Sequence, residues 1–344
     1  MENITDASKA APTQGASRSA LSTLLVTELA QFPAKVGIFV KNLATGEEAG
    51  VAVDTAFDSE SVIKVPIMVL AFQLAEAGDL DLDERYEIKR ADLEPGSGIF
   101  QHHDLGARPT HRDLITEMII TSDNSATRIL VKKLGGVERI NAWLDDNGYR
   151  QTRAGPIEQG WRPTLALVDP IFSTITVEEA HGLFYAAWGS RQFKLYESLF
   201  TGKKRAWLDR VSGEAIEAAF EVYADRPDLW YGTTTPREMG RIMEAIVQGT
   251  IASEESCASM QALLRNQQLG ACRIPHFLEA PVAHKTGDLT PGVANDVGII
   301  YSPSGLIVLS FFSTGIHEPY GEFEDRIGRL AQKVVAQFEA VDSR

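Results

Sequence analysis

The chain has 344 residues, 44% hydrophobic and 23% charged, enough for a large core and for about two domains. A formal charge of −14, with no basic stripe interleaved with aromatics, excludes a nucleic-acid-binding footprint. No run approaches the ~18 apolar residues of a membrane span, and two cysteines, Cys257 and Cys272, allow one bridge at most and no disulfide framework.

Residues 1–18 are small and polar, without the basic start and apolar centre of a signal peptide, and read as a disordered leader. The expectation is a soluble, cytoplasmic protein, or a periplasmic or secreted one if a native export signal has been removed. Over 19–32, Leu21, Leu24, Leu25, Leu29 and Phe32 recur at helical spacing, and Pro33 marks the stop. Alternating strands follow at 36–40 and 49–53, joined by a turn at Thr45-Gly46. Two strands need a larger sheet, and the far end of the chain supplies it. Strands at 282–286, 296–301 and 306–313, the last two flanking Ser302-Pro303-Ser304-Gly305, precede an amphipathic helix over 322–341. Residues 19–58 and 266–344 therefore form one α/β domain of α+β type, an antiparallel sheet with flanking helices built by both termini. Residues 59–265 read as an all-helical domain.

In Asp58-Ser59-Glu60-Ser61-Val62-Ile63-Lys64 a polar approach turns abruptly into a long apolar run, the mark of a helix N-terminus. Residues three apart share a helical face, so Lys64 lies beside Ser61 among the free N–H groups of the first turn. A serine needs an adjacent base to attack, and a lysine is a base only when burial or another cation depresses its pKa. Ser-x-x-Lys arises by chance roughly once in a chain of this size, and taken alone it is better explained as a capped helix with a solvated lysine.

Farther on, Glu94-Pro95-Gly96-Ser97-Gly98 is a loop by composition, and Thr110-His111-Arg112-Asp113 is a capping box opening a helix over 114–120. Ser122-Asp123-Asn124 then interrupts two apolar helices, as an N-cap or as a catalytic loop. Lys285-Thr286-Gly287 stands on a late strand, where a lysine can simply blunt a sheet edge.

Ser-x-x-Lys, Ser-Asp-Asn and Lys-Thr-Gly in that order are the signature of class A β-lactamases and penicillin-binding proteins. The chain resembles that family over residues 20–158 and 233–341. The segments Glu94-Pro95-Gly96-Ser97-Gly98, Thr233-Thr234-Thr235-Pro236-Arg237 and Asn295-Asp296-Val297-Gly298 look like its counterparts too. The resemblance implies a β-lactamase/transpeptidase-like fold and a serine hydrolase that needs no cofactor. Ser61 would be the acylated nucleophile, Lys64 its base or relay, and Ser122 the donor to the leaving nitrogen. Lys285 would hold down the Lys64 pKa and attract an anionic substrate. The N–H groups of Ser61 and Asp288 would form the oxyanion hole. Asn124, Thr286 and Gly287 would contact the substrate, and Arg273 would help to bind its carboxylate. Glu158, 34 residues after Asn124, falls where the family places its deacylating glutamate on the Ω-loop, although Arg162, Pro156 and Gly232 replace residues that pin that loop. An exposed loop glutamate is the other reading of Glu158.

Seventy-four positions separate Glu158 from Gly232, which implies an ordered Ω-loop insertion at about 165–228. Its helices, one opened by the capping box at Thr176, are expected to lie as a lid over the pocket. Trp161, Trp188, Trp207, Trp230 and Tyr231 in and around it read as a small core in preference to a substrate-contacting stripe. The histidines show no metal-ligand spacing, and the expected partner is a small molecule carrying a carboxylate, bound by a monomer or weak dimer. The alternatives are an amidase, esterase or peptidase of this fold acting on another metabolite, and a binding protein that keeps the pocket without the chemistry.

Overall fold

A computed structural model describes residues 19–211 and 213–342, so the expected leader at 1–18 lies outside the described residues. Ser19 caps α1 (Ala20–Leu29), and a hairpin of β1 (Lys35–Asn42) and β2 (Glu48–Val51) follows, then the short β3 (Phe57–Asp58). The helical region opens with α2 (Lys64–Glu76) and continues through α3 (His111–Ile120), α4 (Asn124–Lys133) and α5 (Gly136–Asp146) to β4 (Arg153–Ala154). The insertion carries α6 (Arg162–Val168), α7 (Val177–Ala187), α8 (Arg205–Leu208) and α9 (Gly213–Ala224). The chain returns through β5 (Gly232–Thr234), α10 (Pro236–Val247) and α11 (Glu254–Arg265) to the strands β6 (Val282–Leu289), β7 (Val293–Ser302) and β8 (Gly305–Thr314), and ends in α12 (Tyr320–Asp342).

The main sheet is antiparallel in the order β2-β1-β8-β7-β6, with Ile38 opposite Phe311 and Lys285 opposite Val297. Both termini build it, as the alternation predicts. Both faces are covered, which is why the inner strands β7 and β8 are buried along nearly their whole length. On β8, Ile307, Leu309 and Phe311 pack with Leu21, Leu25, Phe323 and Val334 of the terminal helices. Val308 and Phe312 face the other way, toward α2 and the helical region. The α2 helix is apolar all round from Val65 to Phe72 and is buried on every side, the fate of a helix without a polar face.

A second sheet, β3-β5-β4, has strands too short to show periodicity in sequence. It ties the segment before Ser61 to the end of the insertion. The insertion has its own core, with Leu165, Phe172, Phe184, Tyr196, Phe200, Trp207 and Ile216 buried together. Among the described residues, no helix is long and apolar enough to cross a membrane, and both Cys257 and Cys272 are free.

Candidate active site

A 3₁₀ turn over Glu60–Ile63 leads into α2, so Lys64 follows Ser61 by one turn, and its backbone N–H donates to the Ser61 carbonyl. Glu60 has φ +45°, a left-handed backbone that few non-glycine residues adopt, and this bends the chain so that Ser61 lies at the mouth of a cavity. Ser122 also has positive φ (+56°), where α3 ends and Asp123 caps α4 by accepting from Ala126 N at 2.8 Å. The N-cap reading of Ser122-Asp123-Asn124 holds for Asp123, and its neighbours Ser122 and Asn124 both contact Lys64.

Three motifs meet at one hydroxyl. The Ser122 Oγ lies 3.1 Å from Lys64 Nζ and 3.0 Å from Lys285 Nζ. Lys64 Nζ also donates to Ser122 O at 2.7 Å and to Asn124 Oδ1 at 2.8 Å, and Lys285 Nζ to Thr286 O at 2.9 Å. Both amines are fully buried. Burial first, and then the Lys285 charge, hold Lys64 well below the usual lysine range, while burial brings Lys285 down to about 7. Gly287 packs against the turn carrying Ser61, and a Cβ there would lie 3.1 Å from Ser61 N. This sets β6, the edge strand, beside the N–H of Ser61.

The cavity above has a volume of about 420 Å³. Ser61, Asn124 and Asp288 line it, with Glu60, Glu94 and Ile157, and with Trp161, Trp188, Phe220, Tyr223 and Tyr231. The aromatic residues thus split between two roles. Trp207 lies in the insertion's core and Trp230 donates to Tyr223 O at 3.1 Å, whereas Trp161, Trp188 and Tyr231 form cavity wall. Thr164 of α6, Trp188 just after α7, and Phe220 and Tyr223 of α9 are wall residues, so the insertion covers the pocket as expected.

Two expected site residues lie elsewhere. Glu158 is on the anticipated turn, but a 3₁₀ turn over Ile157–Gln159 sends successive side chains in different directions. Ile157 enters the cavity wall, while the Glu158 carboxylate lies 3.7 and 3.9 Å from where a Cβ on Gly136 would be. Arg273 is buried and committed to protein partners: Asp288, Glu324 at 3.0 Å, Tyr320 Oη at 3.0 Å and Asn295 O at 2.7 Å. It is therefore a structural cation behind the β6 edge, without donors turned to a substrate carboxylate. Thr286 is fully buried beneath the floor.

Two carboxyl groups that the motifs do not single out face the cavity instead. Glu94 Oε2 lies 3.3 Å from Arg128 Nη1 and 3.0 Å from His181 Nε2, the histidine coming from α7. The loop carrying Glu94 is fastened to α4 by Glu94 N to Ser125 Oγ at 2.9 Å and Asn124 Nδ2 to Pro95 O at 3.1 Å. Gly160 (φ +50°) crosses directly over this pair; a Cβ there would lie 2.7 Å from His181 Nε2 and 2.9 Å from Glu94 Oε1. Glu60 is buried against Asp58 and the Tyr223 hydroxyl, and burial followed by the Asp58 charge pushes its carboxyl well above the usual range. Position beside Ser61 was the available signal for Glu60; for Glu94, the partners Arg128 and His181 are too distant in sequence to give one.

A model described as the beta-lactamase enzyme family matches residues 17–338. Over 139 residues the chain is 30% identical to a β-lactamase of Rhodobacter capsulatus, a match covering 40% of this chain and 47% of that protein. The structure is similar to that of a β-lactamase from Sphaerobacter thermophilus, with a TM-score of 0.67 at 24% identity over 94% of this chain and 97% of that one. It is equally similar to PBP-A, with a TM-score of 0.67 at 21% identity and the same coverage of both chains. At these identities the two structures establish the fold.

Proposed function

Because the chain belongs to the beta-lactamase enzyme family, we propose that it is a serine hydrolase that opens an amide of the β-lactam type through an acyl-enzyme on Ser61. The observation that carries this reading is the Ser122 hydroxyl held between two buried amines, 3.1 Å from Lys64 and 3.0 Å from Lys285. A neutral Lys64 takes the Ser61 proton as the oxygen attacks the carbonyl. The oxyanion forms against the N–H groups of Ser61 and Asp288. As the C–N bond breaks, Ser122 gives its proton to the leaving nitrogen and is recharged from Lys64, so the proton taken from the nucleophile ends on the product amine. Lys285 keeps Lys64 neutral and Ser122 oriented. For deacylation the carboxylate turned to the cavity is that of Glu94: it takes a proton from water as the hydroxide attacks the ester, and the proton returns to Ser61.

The test is intact-mass analysis with penicillin G and turnover of nitrocefin by the wild type and Ser61→Ala. The wild type should carry a covalent adduct on Ser61 and hydrolyse substrate, and the variant should do neither. Labelling of the variant, or turnover above a few per cent of wild type, would place the nucleophile elsewhere.

A further inference from the structure

The cavity wall has an unbalanced charge. Glu60, Glu94 and Asp288 line it, and no Lys, Arg or His does so among the described residues. The cations nearby are already engaged. Arg273 holds Asp288 from behind, Arg128 holds Glu94, and Lys285 lies beneath the floor on Ser122 Oγ and Thr286 O. Nothing in the wall offers a charge to a substrate carboxylate. Of the three wall carboxyls, Glu94 has its arginine and histidine and Asp288 has its arginine and the Tyr320 hydroxyl at 2.7 Å. Among the described residues Glu60 makes no ion pair, although the buried Lys64 acts on it through space: its Oε1 is buried with no hydrogen-bond partner, and its residue is 8% exposed.

Around Glu60 the wall is aromatic. Tyr223 reaches it from α9, its hydroxyl fixed by Tyr231 N at 2.7 Å, and the Trp161 ring is centred 5.2 Å from that of Tyr223 and 5.0 Å from that of Phe220. A carboxyl group set among aromatic rings is the chemistry that selects ammonium groups, by charge and by the negative faces of the rings. We propose that the hydrolase described above takes a substrate whose acyl side carries a cationic, ammonium-type group, seated between Glu60 and the side chains of Trp161, Tyr223 and Tyr231. In the empty cavity, burial and then the Asp58 charge favour the protonated form of Glu60. An arriving cation supplies the countercharge that lets it ionise. This inference rests on the serine-hydrolase reading and reverses the expectation of a carboxylate-bearing substrate.

The test uses p-nitrophenyl esters of three acyl chains of matched length: 4-(trimethylammonio)butyrate, its uncharged isostere 5,5-dimethylhexanoate, and glutarate as the monoester. The cationic ester should exceed its isostere in kcat/KM by about tenfold or more, with glutarate slowest, and Glu60→Gln should bring the cation-to-isostere ratio close to one. Equal rates for the first two esters, or a ratio untouched by Glu60→Gln, would overturn the charge preference and leave the serine chemistry standing. Failure of all three esters to acylate Ser61 would overturn both. If Glu60→Gln does not fold, competition on the wild type decides: tetramethylammonium chloride should inhibit hydrolysis of the neutral ester where sodium chloride at equal ionic strength does not, and equal effects would refute the proposal.

Discussion

Replacing Lys285 with alanine tests how the two buried amines divide their work. Each nitrogen is within 3.1 Å of the Ser122 hydroxyl, so they are at most about 6 Å apart. With an effective dielectric constant of about 20, a charge at that distance opposes protonation of the other by ~3 kcal/mol. On the proposed mechanism Lys64 acts as base in its neutral form, and its pKa is depressed, so acylation should rise as pH climbs through that depressed value. Removing Lys285 lifts the Lys64 pKa back toward the ordinary lysine range and moves the acid limb of the profile to higher pH. At neutral pH the variant should lose up to about a hundredfold in acylation rate, the ~3 kcal/mol of repulsion expressed as a protonation equilibrium, and it should regain rate under alkaline conditions. Lys285→Arg, which keeps a charge, should shift the limb less. The assay is the p-nitrophenol burst rate measured from pH 5 to 10. An acid limb at the same pH in the wild type and Lys285→Ala would show that Lys285 does not tune Lys64.

Glu94→Gln should acylate normally and then stall, with the adduct persisting by intact mass and deacylation slowed by ~10²–10⁴-fold, while Glu158→Gln should turn over as the wild type does; the reverse pattern would return the role to Glu158. Gly160→Ala puts a side chain on a φ of +50° and against the Glu94–His181 pair, so deacylation should slow while the burst is retained. A burst lost together with deacylation would refute that local effect. Arg273→Met leaves Asp288 and Glu324 without their cation, and because both retain some solvent the cost should be about 3 kcal/mol, the lower end for breaking a buried pair. A loss below about 1 kcal/mol in urea unfolding would show that the network contributes little.

What could be read in advance follows the range of the interaction. The capping boxes at Thr110 and Thr176 and the alternating hairpin of β1 and β2 are local patterns, and each appears where the sequence puts it. Ser61, Lys64, Ser122 and Lys285 were legible because each motif is a few residues long and its helix, loop or strand sets the direction of its side chains. Counting from Asn124 located the turn carrying Glu158 but could not give the direction of its side chain, which depends on the tightness of that turn. Arg273 failed for a different reason: its partners Asp288, Glu324 and Tyr320 come from a strand and a helix on the far side of the sheet. The acidic wall was hidden likewise, because Glu60, Glu94 and Asp288 come from three separate segments.

The sheet's connectivity has a consequence for how the protein is made. Ile38 on β1 pairs with Phe311 on β8, so at ordinary translation speeds roughly a quarter of a minute to a minute passes between the emergence of the two partners from the ribosome. Through that interval the nascent chain holds an unpaired strand edge and the apolar surface of α2, and it already carries Ser61 and Lys64 without Lys285. The Ser122 hydroxyl can therefore be held between its two amines only after Lys285 has been made and β6 has paired with β7. The early segments depend in the meantime on chaperones, or on neighbours such as the insertion, whose separate core can close before the sheet does.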